Sequence, residues 1–201
     1  MTQSRRSRRR THSRSFYPKS NATPWESLVT GASFKPTIAN HFRQTWTFLI
    51  YAQALTLGPA IVWYKHGAQS LPLAYSVAVP LFLAVFVPHA ILHVRYNSVS
   101  RGMSFVFKNK HQIEVRRAGV TRVVGDVEID NVECVLHRSL SRNETTMYPW
   151  QTYGFAIVRL VTGEHFVITT LAVPDLRWPY EFCKATIREV LYPWPPYSSL
   201  K

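Results

Sequence analysis

The chain has 201 residues, a formal net charge of +13 and a mean hydropathy of −0.09. That length accommodates one modest soluble domain beside a membrane segment, and two cysteines exclude a disulfide framework. The near-zero mean hides a segregation: the balance is +8 from Met1 to Gln44 and +4 from Arg95 onward, and Trp46 to Val94 carries one charge, Lys65.

Residues 1–45 form a basic arm and connector. The start, MTQSRRSRRRTHSRS, is too polar to bury apolar surface and is expected to be disordered in isolation. An Arg-rich segment of this kind suits anionic lipid, nucleic-acid phosphate or an organelle presequence. The simplest reading is a topology signal without a partner, and nucleic-acid binding ranks last among the functions considered. No apolar h-region follows the arginines, so a secretory signal is not expected. Phe16 to Asn40 continues as a Pro-, Ser- and Thr-spaced connector that could lie on a membrane surface or cover the soluble domain.

Residues 46–94 contain two uncharged runs, 46–64 (WTFLIYAQALTLGPAIVWY) and 71–94 (LPLAYSVAVPLFLAVFVPHAILHV). A helix rises about 1.5 Å per residue, so a hydrocarbon core of about 30 Å needs roughly 20 apolar residues. Buried soluble helices normally keep a polar stripe, which neither run offers. The pair is therefore predicted to be a transmembrane hairpin. Basic residues on both flanks place both termini in the cytoplasm and the KHGAQS link outside. In that topology the sequon-like Asn21 and Asn143 are not glycosylated, and Cys134 and Cys183 are reduced thiols.

Pro59, Pro80 and Pro88 are expected to bend the helices. His89 and His93 are four residues apart and share a helix face, a spacing that metal or haem ligands use. The first run offers no third ligand, so the two rings are read as reaching headgroup water.

Residues 95–192 read as a cytoplasmic domain. Short segments at Met103–Phe107, His111–Val115, Thr121–Val124, Val127–Ile129, Asn131–Arg138, Gly154–Val161 and Glu164–Thr170 predict six or seven strands, the first two and Asn131–Arg138 by alternation, with Thr162-Gly163 the clearest hairpin turn. From Pro174 to about Leu191, apolar residues at three- and four-residue steps predict a closing helix, and residues 193–201 form a Pro/aromatic tail. The predicted class is an α+β membrane protein: a transmembrane hairpin, then an antiparallel β-barrel or strongly bent sheet capped by a C-terminal helix.

Three segments, Ile113-Glu-Val-Arg-Arg-Ala-Gly119, Asp130-Asn-Val-Glu-Cys-Val135 and Tyr153–Leu171, resemble those of bacterial pleckstrin-homology-like domains preceded by a two-helix hairpin. The resemblance covers roughly Trp46 to Leu191 and departs at the Arg-rich arm, the loop from Ser139 to Thr152 and the tail. It implies anchoring and interaction rather than a reaction.

No phosphate-cradling loop, nucleophile elbow, zinc helix or paired-cysteine motif occurs, so an enzyme is not expected and no catalytic, cofactor or metal residues are assigned. The candidate contact set is basic: Lys108, Lys110, Arg116, Arg117 and Arg122, facing anionic headgroups, an acidic partner or simply solvent. The function read from sequence is a binding or scaffolding module tethered in the inner or plasma membrane. The alternative is an accessory subunit of a transport or secretion assembly, with a membrane-protein partner or a second copy of the chain against the hairpin.

Overall fold

A computed structural model describes residues 31, 33–109, 111–142, 144, 146–174, 176 and 185–198. The Arg-rich run, Lys110, Cys183 and both sequon asparagines lie outside the described residues.

Two long helices form an antiparallel hairpin, α1 over Ile38–His66 and α2 over Leu71–Ser100, joined through a 3-10 turn at Ala68–Ser70. Both are long and apolar enough to cross a membrane. Each runs past its apolar stretch. α1 starts eight residues before Trp46 because the Thr37 hydroxyl caps it, accepting from the Asn40 N–H at 3.2 Å. α2 continues beyond Val94 because its last two turns are packed against the domain rather than released into solvent.

Eight strands are described: β1 (Ser33–Phe34), β2 (Met103–Asn109), β3 (Gln112–Arg117), β4 (Val120–Gly125), β5 (Ile129–His137), β6 (Gly154–Leu160), β7 (His165–Thr169) and β8 (Ala185–Val190). A short helix, α3, spans Arg138–Ser141, and a 3-10 turn spans Pro149–Thr152. Between β3 and β4 the chain reverses through Ala118 and Gly119, both at positive φ, a two-residue turn whose twist matches the flanking strands.

The predicted barrel does not close. The strands divide into two four-stranded sheets, ordered β1-β2-β3-β4 and β7-β6-β5-β8, and the chain changes sheet at a 3-10 turn over Asp126–Glu128. The predicted C-terminal helix is also corrected: residues 185–190 are β8, paired in parallel with β5, and residues 177–184 lie outside the described residues. Thr186, Ile187 and Val190 are β-branched, and the open edge of β5 supplies a hydrogen-bonding partner that outweighs a helical spacing of apolar residues.

Alternation along the strands makes three layers. Facing the first sheet, Val132, Cys134, Ala156, Val158, Phe166 and Ile168 join Phe105, Phe107, Ile113 and Val115 in one core. On the opposite face, Val135, Phe155, Ile157 and Val167 form a second core with Leu92, Tyr96 and Val99 of α2. The second sheet is thus buried on both sides, which explains the continuous apolar run GFAIV in β6. At its start Gly154 is closely covered: a Cβ there would stand 2.5 Å from Leu136 Cδ2, so that side chain would have to shift.

Candidate functional site

A hydrogen-bonded polar chain sits where the hairpin meets the second sheet. Tyr153, fully buried at the entry to β6, places its hydroxyl 2.7 Å from His93 Nδ1. His93 Nε2 in turn lies 3.0 Å from Nδ1 of His41 on α1. The phenol can donate to Nδ1, leaving the His93 Nε2–H to donate to His41; the reverse polarity satisfies the same chain. Burial holds the Tyr153 phenol well above its ordinary pKa, so it keeps its proton.

Around this chain the packing is aromatic. Tyr96 meets Tyr153 edge-on at 4.7 Å, and the Tyr96 hydroxyl donates to the Pro193 carbonyl at 2.9 Å. His89, 2% exposed, is stacked on Phe48 of α1 at 5.8 Å and contacts Tyr153 at 5.6 Å. Neither of its ring nitrogens has a hydrogen-bond partner among the described residues. The expectation that it reaches headgroup water is therefore corrected: its ring is covered by Phe48 and Tyr153.

Further bonds join hairpin and domain on either side: Gln44 Oε1 accepts from the Thr152 hydroxyl (2.6 Å), Asn40 Nδ2 donates to the Leu171 carbonyl (2.9 Å), and Ser100 pairs with Thr169 (2.5 Å). This is a fixed joint rather than a flexible tether. Its chemistry is that of a partly buried hydrogen-bonded chain running from Tyr153 through His93 to His41. Among the described residues no three of His, Cys, Asp or Glu are placed to hold a metal ion.

The joint was only half visible in the sequence. His93 is marked by its spacing from His89, but His41 and Gln44 precede the uncharged run that begins at Trp46. Thr37 followed by Asn40 was the signal that α1 starts earlier.

The predicted basic set is distributed over both faces of the first sheet. Lys108 and Arg116 lie on its outer face, and both bond the Glu114 carboxylate, at 2.8 and 2.5 Å. These two contacts, Lys108's first, hold the Glu114 carboxyl below its ordinary pKa. Arg122 is paired across from Val115 on the inner face and bonds Glu164 at 2.5 Å. Arg117, opposite Met103, reaches the Ser198 carbonyl at 3.5 Å. Lys108, Arg116 and Arg122 thus each have a carboxylate partner within the domain.

A different cation lies beside the joint. Arg95, at the end of the apolar run of α2, donates to the Pro195 carbonyl (3.0 Å) and lies over the ring of Tyr197, 3.7 Å from its centroid. The Pro/aromatic tail is bound back onto α2 by this contact.

No protein-family model, curated protein or solved structure matches the chain.

Proposed function

We propose that the protein is a membrane-tethered binding or scaffolding module. In this reading α1 and α2 cross the inner or plasma membrane with both termini cytoplasmic, and the two-sheet domain is presented at the cytoplasmic surface as a pleckstrin-homology-like interaction unit. The observation that carries it is the joint: the domain is seated on the last turns of α2 through a buried apolar layer and several polar contacts, which fix its height and orientation. A domain needing only to be kept near a membrane could hang on a linker; one seated this way presents a defined face. Basic residues flanking the hairpin support the orientation.

The accessory-subunit reading is favoured by one feature. A crevice of about 560 Å³ opens between the helices, lined by Tyr51, Leu55 and Pro59 of α1 and Ala78, Phe82 and Val85 of α2. Side chains projecting from a transmembrane helix of another subunit would fit into it.

Full-length protein carrying a C-terminal tag, purified in mild detergent and analysed by mass spectrometry for proteins and lipids, separates the two. A soluble protein or an enriched anionic lipid supports the tethered module. A stoichiometric membrane protein moves the assignment to the assembly subunit. Extraction of the chain from membranes by alkaline carbonate would remove both.

A further inference from the structure

We infer that the turn carrying Met147, Tyr148 and Trp150 is immersed in the membrane, so that the domain lies partly within the bilayer interface beside its own hairpin. The inference rests on the reading of α1 and α2 as membrane-spanning and adds the lipid-facing surface of the domain.

The first observation concerns length. Ring contacts of Phe48 with Phe86 and the bond between His41 and His93 set the register of the hairpin. The domain climbs it as far as Tyr51, whose hydroxyl donates to the Met147 carbonyl. From there to the end of α1 at His66, residues 52–66 rise only about 22 Å, short of the roughly 30 Å hydrocarbon core. If the bilayer stopped where the domain begins, the hairpin would be too short for it.

The second observation concerns the outer surface of the hairpin. On α2, His89, Leu92 and Tyr96 are buried by the domain, whereas Val87, Ile91 and Val94 on the opposite side are 45%, 49% and 67% exposed. On α1, Phe42 and Trp46 are exposed over the same levels. The apolar outer surface of the hairpin therefore continues past Tyr51, and burying it places the adjoining edge of the domain at the same depth.

The third observation is that this edge is built to lie there. Non-helical backbone at membrane depth must have its polar groups satisfied. The Gln151 side chain, itself buried, accepts from the Met147 and Tyr148 N–H groups at 2.6 and 2.9 Å. Gln151 N–H bonds the Tyr148 carbonyl, the Thr152 hydroxyl bonds that of Pro149, and Tyr153 N–H bonds that of Trp150. Outside this network stand apolar and amphipathic side chains: Met147 is 69% exposed, and the exposed Tyr148 ring stacks at 4.7 Å on Trp150, which is partly buried against the second core with Tyr192 beside it. Tyr and Trp favour the headgroup level, where an apolar ring and a polar edge are both accommodated.

The test uses full-length protein in vesicles of phosphatidylcholine brominated on its acyl chains. One variant retains Trp150 as its sole tryptophan, and a second carries only Leu81→Trp, at an exposed position in the middle of α2. The expected result is loss of Trp150 emission to the brominated lipid, less than for the hairpin probe, with little quenching by aqueous iodide. Quenching of the hairpin probe alone, with Trp150 open to iodide, overturns the inference and leaves the tethered-module reading intact. Quenching of neither removes both. Because five Trp→Phe changes can perturb folding, Met147→Cys labelled with a polarity-sensitive dye provides a second measurement against the unlabelled parent. A blue-shifted, iodide-protected signal in vesicles is expected, and a water-like one contradicts immersion.

Discussion

His137 occupies the last position of β5 and the N-cap of α3, where its Nδ1 accepts from the Ser139 N–H at 3.1 Å. Only a ring unprotonated at Nδ1 can do this. Burial lowers its pKa, partly opposed by the Glu144 carboxylate. The unfolded chain therefore binds the proton at a higher pH than the folded one, and stability falls with pH through the window below the ordinary histidine value of about 6.5. Glu189, tied to α3 first by the Ser141 hydroxyl and then by Arg142, has its carboxyl below the ordinary range. Its contribution is present above the unfolded carboxylate pKa and is lost as pH falls through the folded one. Acid thus loosens both attachments of α3. His137→Asn keeps a side-chain oxygen for the cap but does not titrate. The stability advantage of wild type over this variant should shrink between about pH 7.5 and 5.5, the range that brackets the ordinary histidine value. Thermal unfolding in detergent reads it, and a gap independent of pH would rule out His137 as the titrating group.

Between elements, the bond that binds β6 to α2 is the 2.7 Å contact of Tyr153 with His93. Tyr153→Phe keeps the ring against Tyr96 and removes the hydroxyl, so the loss should be about 1–3 kcal/mol, that of a buried polar group left unpaired. Tyr153→Ala also empties an aromatic site, and about 3–5 kcal/mol is expected. Chemical unfolding in lipid nanodiscs measures both. In a His93→Leu background the Tyr153→Phe cost should largely vanish, and an undiminished cost would place the hydroxyl's role elsewhere. The elements themselves were unequally legible. The hairpin followed from uncharged runs, and β2 to β7 from alternating or continuous apolar segments bounded by turns, because both signals are local. β8 was not legible, since Leu176, Ile187 and Val190 fit a helical spacing and only the free edge of β5 decides for strand. The basic set was legible as composition, but the acids that pair it come from other positions in the fold, Glu164 for Arg122 among them. His41 and Tyr153 are half a chain apart, so their meeting through His93 is a tertiary fact that no spacing encodes.

At the scale of the whole molecule, the hairpin and the domain cannot be treated as separable parts. The second sheet is buried on two sides, and one cover is the end of α2. Removing the hairpin would expose Val135, Tyr153, Phe155, Ile157 and Val167 as one continuous face, together with the unpaired Tyr153 hydroxyl. Surfaces of that kind on isolated domains associate or aggregate. A fragment beginning at Gly102 should therefore elute from size exclusion as oligomers or aggregate. A longer fragment that starts at His89, and so restores Leu92, Tyr96 and Val99, should regain much of its dispersity. The comparison isolates the cover from the membrane, since neither fragment retains a helix long enough to span one. A monodisperse monomer from the shorter fragment would mean that the sheet does not depend on α2, and that the domain is hung from the hairpin rather than built onto it.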